Sequence, residues 1–292
     1  EKCNFEISQF VPNEKAADFD SYPMPDSETE VERLRSLHFS INHIWQKPFC
    51  SPVDEVLKDG GAHVLDVGCG CNGDWIFELA EKYPSSKFTG FDISSYLPTS
   101  YPHQNVKFFK HSIVDGIPYP DNTFDFIHLR GVDLYCTVDE FHNKIMKEFL
   151  RALKPGGWLE IVETEALNFD EKSGKVTQKL MSIRWIETLG KVRNSVKSQI
   201  PQYLEAHDSE KLFSEYYFAR KLYPLSKRGG KAGQLLLFSL MAAYKQLRFP
   251  VIKFYPEIAN EYDSLVDEYQ EEVENFDYHV SQIRFFGRKN FD

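Results

Sequence analysis

Two acids and a run of glycines carry the clearest chemistry in this chain. Asp66 stands two residues before Gly68, and Gly68, Gly70 and Gly73 follow in the spacing G-x-G-x-x-G. Glycines there let the backbone turn sharply and let a ligand approach bare amide N–H groups, while a helix start just beyond favours a negative group. A second acid, Asp92, closes the next apolar run, Lys87-Phe88-Thr89-Gly90-Phe91-Asp92. An acid at that place can accept two hydrogen bonds from ribose hydroxyls. Taken by itself the glycine spacing also fits a nicotinamide dinucleotide site. Further along, His128, Arg130, Asp133 and Tyr135 cluster after another apolar run and supply a second set of reactive side chains.

These residues need a scaffold, and the central part of the chain alternates in a way that provides one. Apolar, β-branched and aromatic runs predict strands near residues 63–67, 87–92, 106–110, 124–129 and 157–163, with helices near 74–82 and 139–153. Such alternation implies right-handed crossovers, a parallel sheet and ligands gathered at the carboxyl ends of the strands. Asp66, Asp92, Ser112, Arg130 and Glu163 all fall at or just beyond those ends. Beyond Glu163 the pattern shifts to helices near 176–197, 203–214, 231–249 and 257–276, with strand candidates at 217–223 and 279–287.

Ahead of the alternating region, residues 1–26 carry Pro12, Pro23 and Pro25 with no sustained period and read as an irregular arm. A helix is predicted from Ser27, with Glu30 as reciprocal capping partner, and Val31, Leu34, Leu37, His38, Ile41, Ile44 and Trp45 form one apolar stripe. Ser51-Pro52 reads as the cap and first position of a short helix that Gly60-Gly61 ends.

Val64-Leu65-Asp66-Val67-Gly68-Cys69-Gly70, then Asp92, then Leu153-Lys154-Pro155-Gly156-Gly157-Trp158-Leu159-Glu160 resemble, in kind and order, the motifs of class I S-adenosylmethionine-dependent methyltransferases. The resemblance runs from about Tyr22 to Lys289. Tyr22-Pro23-Met24-Pro25, Arg33 to Phe39 and Phe124 to Arg130 make the chain most similar to fungal methyltransferases related to regulators of secondary metabolism.

The resemblance implies an α/β, Rossmann-like sheet of seven strands with helices on both faces and the last strand antiparallel. A single domain over 1–292 is expected: an arm and, from its composition, a lid helix at 1–50, a core at 51–223 and 277–292, and, from the helical pattern, a two-helix insertion at 224–276. The resemblance implies S-adenosylmethionine as cofactor. Asp66 with the backbone at Gly68 and Gly70 would cradle its methionine part, Asp92 the ribose, and Ile93, Ser112 and Ile113 the adenine. Ser112 stands where the family usually places an acid, so a neutral hydroxyl replaces a charge there, with Asp115 near enough to substitute. Asn72 stands where many members have glycine; asparagine tolerates left-handed backbone angles, so the turn is expected to survive.

On the acceptor side, Arg130 would bind the cofactor carboxylate, an anion of the substrate or a structural partner. His128 and Asp133 are the candidates for a general base, needed only if the acceptor carries a proton. Tyr22, His38, Trp45 and Tyr135 would wall the pocket, although His38 and its neighbour His43 also read as packing histidines. The expected activity is methyl transfer to a small molecule or a protein side chain. The alternative is a cofactor-binding regulatory protein acting mainly through partners. Asp66 and the Leu153–Glu163 segment speak against the nicotinamide reading.

Composition narrows the field. A content of 42% hydrophobic and 15% aromatic residues is enough to bury a sizeable core, which argues against disorder. A net charge of −10 opposes polyanions and excludes nucleic-acid binding through a general basic surface. Arg220, Lys221, Lys227, Arg228 and Lys231 form the one local basic run and read as a solvated loop. Nine acids and no Lys or Arg occupy 257–277, giving a solvated helix face or a partner-binding one. Five cysteines without a C-x-x-C pair predict no metal and reduced thiols, hence the cytoplasm or nucleus. No apolar run has transmembrane length. The chain begins at Glu1 rather than Met and reads as a trimmed chain or fragment, which leaves open a targeting segment before it.

Overall fold

β1 (His63–Val67) lies at the centre of the sheet, with Val64, Leu65 and Val67 wholly buried. The computed structural model describes residues 24–131, 136, 138–165, 174–182, 196–207 and 209–291. With β1 stand β2 (Lys87–Asp92), β3 (Val106–Lys110), β4 (Phe124–Arg130), β5 (Leu153–Glu165), β6 (Phe213–Pro224) and β7 (His279–Lys289). Their order in the sheet is β3-β2-β1-β4-β5-β7-β6. β7 runs antiparallel to both its neighbours, while β3 to β5 pair in parallel. After β1 the chain builds outward to β3 and then returns to the other side of β1 with β4. The crevice between β1 and β4 is therefore the switch point where ligands of open α/β sheets collect.

Strand alternation sorts the core into two faces. Leu65, Phe91, Ile127, Leu129, Ile161 and Phe285 meet the helical segment Val138–Ala152, through Phe141, Ile145, Met146 and Phe149. On the opposite face Val64, Phe88 and Phe126 meet α3 (Asp74–Lys82), through Trp75, Ile76 and Leu79. Farther across that face, Val162 and Val280 share a cluster with Ile41, Ile44 and Trp45 of α1 (Glu28–Trp45) and with the later helices. Helices thus cover both faces of a seven-stranded Rossmann-like sheet.

Several local expectations change. Ser27 does cap α1, its Oγ accepting from the Glu30 N–H at 3.1 Å. Glu30 does not reciprocate, because its carboxylate is taken by Arg33 at 2.6 Å and by Gln246 at 3.0 Å. Ser51 is no cap either: α2 (Asp54–Asp59) begins after Val53, and the Ser51 hydroxyl donates to Glu160 instead. The helix expected over 139–153 runs from Val138 to Ala152 with a π turn at Phe141–Ile145. β5 and β6 begin at Leu153 and Phe213, four residues earlier than expected, because Leu153 pairs with Phe124 and Phe213 with Lys289. Of the helix expected near 176–197, Lys175–Ser182 and the start of Val196–Ala206 are described, and 183–195 lies outside the described residues.

The insertion holds more pieces than the two helices expected. Gly230–Gln246 ends at Leu247, and a new helix, Arg248–Phe254, follows. Pro250 explains the break, since its ring clashes with the carbonyl four residues earlier, that of Gln246. A 3-10 turn at Pro256–Ile258 then precedes the last helix, Tyr262–Asn275. That helix buries Tyr262, Leu265, Val266, Tyr269 and Val273. Three of its acids are engaged within the chain: Asp263 with Arg248, Asp267 with Lys245 and Glu274 with Lys227. The same contacts occupy part of the basic run, where Arg228 pairs with Asp277 and Lys221 donates to the Ile44 carbonyl at 2.8 Å. Among the described residues no helix is long and apolar enough to cross a membrane.

Candidate functional site

The turn after β1 takes its shape from Gly68, Gly70 and Gly73, at φ values of +63°, +74° and +63°. Side chains pay a steric penalty there, which is why glycine recurs. Asn72 does not take a left-handed angle; that conformation falls on Gly73, the residue before α3. The Asn72 amide instead donates to Asp74 at 2.7 Å and to the Val31 carbonyl of α1 at 3.2 Å.

Asp92, at the end of β2, faces this turn. One carboxylate oxygen accepts from the Gly70 N–H and the other from the Ser94 N–H, each at 2.9 Å. Each oxygen has a second lone pair, so the oriented carboxylate can still take two hydroxyl donors. Burial pushes this carboxyl up from the usual range, against the pull of the two amide donors. Next to it Ile93 is half-buried, Ile113 is buried in the core, and Ser112 precedes the short 3-10 turn Ile113–Asp115 without capping it.

Asp66 and His128 face each other across β1 and β4, whose register places them opposite. The Asp66 carboxylate lies 2.7 Å from His128 Nδ1, and both side chains are buried. The imidazole stacks on Trp75 of α3, ring centroids 4.0 Å apart and 7° from parallel. Burial lowers the His128 pKa, outweighing the attraction of Asp66. A neutral ring bonded this way carries its proton on Nδ1 and donates it to Asp66, which fixes the carboxylate at the switch point.

A pH dependence follows from that lowered pKa. His63, half-buried at the start of β1, is lowered too, by burial and by Lys87. Below the ordinary histidine value of about 6.5 the unfolded chain binds protons that these rings in the folded chain do not, so stability falls with pH. Stability is expected to be full above that value and to drop on acidification, each histidine adding a slope of up to about 1.4 kcal/mol per pH unit. Urea midpoints measured between pH 7.5 and 5 read this out. His128→Gln should remove one histidine's share of the slope, and an unchanged slope would remove His128 as its source.

Arg130 closes β4, and its Nη1 lies 3.3 Å from Nδ1 of His38 on α1. His38 Nε2 in turn lies 3.4 Å from Glu78 Oε2 of α3 and 3.2 Å from Asn42 Nδ2. The Asn42 amide donates to the same Glu78 oxygen at 2.5 Å. Burial pushes the Glu78 carboxyl up, but His38, Asn42 and Arg130 together bring it below its ordinary value. His38 thus meets the site, through a contact across 92 residues of sequence.

The N-terminal segment runs along the carboxyl ends of three strands. Asp26 accepts from Ser94 Oγ at 2.7 Å and the Ser95 N–H at 2.8 Å beyond β2. Val31 and Leu34 sit at the glycine turn, Leu34 at 3.4 Å from where a Gly70 Cβ would stand. His38 reaches the end of β4. Trp45 lies elsewhere, its ring packed over Arg284 of β7 at 4.7 Å and Lys221 of β6 at 5.0 Å. Tyr22, Asp133 and Tyr135 fall outside the described residues.

Sequence reasoning missed Glu160 of β5, which organises the connection between α1 and α2. Its wholly buried carboxylate accepts from the N–H groups of Cys50 and Ser51 at 2.8 and 2.7 Å, from Ser51 Oγ at 2.7 Å and from Arg284 at 3.1 Å. The available signal was an acid inside an otherwise apolar strand.

The profile of a family described as "Methyltransferase domain" matches residues 64–157. The N-methyltransferase sirN of Leptosphaeria maculans is 33% identical over 50% of this chain and 51% of its own length. The secondary metabolism regulator laeA of Aspergillus niger is 30% identical over 49% of this chain and 36% of its own length. The chain therefore spans about half or less of these curated relatives. Among solved structures, a phosphoethanolamine N-methyltransferase 2 of Haemonchus contortus aligns with a TM-score of 0.47 and 17% identity, over 86% of this chain and 56% of that one. Residues 64–157 thus match a methyltransferase domain, and in its glycine turn, paired acids and strand order the chain is similar to the class I S-adenosylmethionine-dependent methyltransferases, the fungal ones among them.

Proposed function

We propose that the chain moves a methyl group from S-adenosylmethionine directly to a small-molecule or protein acceptor. The observation that carries this reading is the convergence of Asp66, Asp92 and the glycine turn at the switch point, with α1 crossing above them. The cofactor brings a methyl group on a sulfonium that is its own leaving group, so the protein's task is alignment and exclusion of water. Asp92, oriented by two backbone amides, fits the ribose diol. Asp66 and the backbone at Gly68 and Gly70 fit the methionine part, and Ile93, Ser112 and Ile113 the adenine. His128 is a positioning residue in this scheme, holding Asp66 in place. Arg130 binds the cofactor carboxylate or an anion of the acceptor.

In the same reading α1 is a lid. Contacts at three strand ends support it, as does the clasp between α1 and the insertion: Glu30 with Gln246, and Ser40 Oγ with the Ala232 carbonyl at 3.2 Å. The regulatory alternative, acting through the acidic helix, draws no support from Asp263, Asp267 and Glu274, which are paired within the chain. We place the protein in the cytoplasm or nucleus, where its thiols stay reduced.

The test is ligand binding. S-adenosylhomocysteine should raise the melting temperature, and NAD and NADP should not. Asp92→Ala should weaken its binding by about 1.5–3 kcal/mol, the range for hydrogen bonds to a charged group, read by titration calorimetry. Stabilisation by a nicotinamide cofactor alone would overturn the assignment. Undiminished affinity in a folded Asp92→Ala variant would remove Asp92 from the site.

A further inference from the structure

His128 is poorly suited to take a proton from an acceptor, being stacked under Trp75 and bonded through Nδ1 to Asp66. Another histidine has the geometry a base requires. We propose that His38 is the general base of the transfer, and that the acceptor is therefore a proton-bearing group, a hydroxyl or an N–H. This rests on the methyltransferase reading above.

The partner on Nδ1 decides which ring nitrogen carries the proton. A guanidinium has only donors, so Arg130 Nη1 at 3.3 Å requires the lone pair of His38 to be on Nδ1. The proton of the neutral ring is then on Nε2, 3.4 Å from the Glu78 carboxylate, and the Asn42 amide nitrogen, 3.2 Å from Nε2, directs its hydrogen to Glu78 rather than to the ring. Asn42 donates to the same Glu78 oxygen and keeps it in place. A carboxylate thus orients an imidazole whose free-base nitrogen points at the carboxyl end of β4. This is the base and orienter pair expected of a proton-accepting site. Among the described residues, the charged groups facing the ring are Arg130 from β4 and Glu78 from α3. His38 is also buried, which keeps water from competing for Nδ1.

In the reaction, the acceptor's X–H takes the place that Arg130 Nη1 holds in the structure. As the lone pair of X forms the new bond to the methyl carbon, the carbon–sulfur bond breaks and its electron pair stays on sulfur. The proton of X passes to Nδ1, and the resulting imidazolium is stabilised through Nε2–H by Glu78. The proton leaves to solvent when α1 lifts. Arg130 is then free to hold an anionic part of either ligand.

The test uses the full chain, S-adenosylmethionine labelled in the methyl group, and a fungal extract divided into small-molecule and protein fractions. Transfer by the wild type is expected to rise with pH and level off. His38→Gln should lower it about 100-fold or more, the lower end for general base catalysis, with S-adenosylhomocysteine affinity unchanged. Glu78→Gln should lower transfer with S-adenosylhomocysteine affinity unchanged and Glu78→Asp should restore part of it, which a merely packing role would not do. Nitrogen-15 NMR of the wild type should show His38 protonated at Nε2. Wild-type rates and profile in a folded His38→Gln variant, or a proton on Nδ1, would overturn the base while leaving methyl transfer intact. No labelled methyl from the wild type into either fraction would overturn the transfer reading and the base with it.

Discussion

Arg284→Ala is expected to cost the protein about 3–5 kcal/mol, the range for removing one partner of a buried ion pair. Arg284 is 1% exposed, and its guanidinium meets Glu160, the Lys47 carbonyl and the face of Trp45. Removing it leaves the Glu160 carboxylate charged inside the sheet. Isolated buried pairs can often be replaced by apolar residues with little loss. Here that replacement should fail. Glu160 also serves the Cys50 and Ser51 N–H groups, so Glu160→Leu with Arg284→Met orphans one buried and one part-buried donor. Urea unfolding of the single and double variants measures this, and a double variant as stable as wild type would show that the amides find other partners.

Trp75→Ala should be of comparable size, about 3–5 kcal/mol for truncating a buried tryptophan. Trp75 is 1% exposed, and its indole N–H donates to the Pro48 carbonyl at 3.0 Å. Its second effect is on the site. Without the stacked indole, His128 is better solvated, its pKa rises toward the ordinary value, and the acid-side loss of stability becomes shallower. Unfolding at pH 7.5 gives the first effect, and the slope between pH 6.5 and 5 gives the second. A large loss with an unchanged slope would separate Trp75 from the protonation of His128.

Much of the fold was readable because its signals are local. β1, β2 and β3 occupy the expected ranges, each being a short apolar run bounded by turn residues or a glycine. The placement of Asp66, Asp92 and the glycines was readable for the same reason, as they occupy consecutive strand ends. What escaped depends on residues far apart in sequence. Ser51 has the local chemistry of a cap, but a carboxylate 109 residues away competes for it and wins. Leu153 and Phe213 start strands early because their partners in β4 and β7 extend that far. His38 presents the helical spacing of a packing residue; the contact with Arg130 exists only once α1 crosses the strand ends. Its proposed role as base was unreadable for that reason. Asp133 and Tyr135, named from the sequence alone, lie outside the described residues.

The Glu160–Arg284 clamp also bears on the order in which a growing chain can assemble. Cys50 and Arg284, which touch in the finished fold, are 234 residues apart. At translation rates of about 5–20 residues per second, that interval is roughly 10–50 s. β1 to β5 are complete once residue 165 has emerged, so the parallel half of the sheet exists well before β7 does. Until then the linker at residues 46–53 has Glu160 but not the guanidinium that neutralises it. The ligand edge is therefore made before the residue that neutralises Glu160 beneath the linker. During that interval the linker that ties α1 to the sheet lacks the cation on which its carboxylate anchor depends.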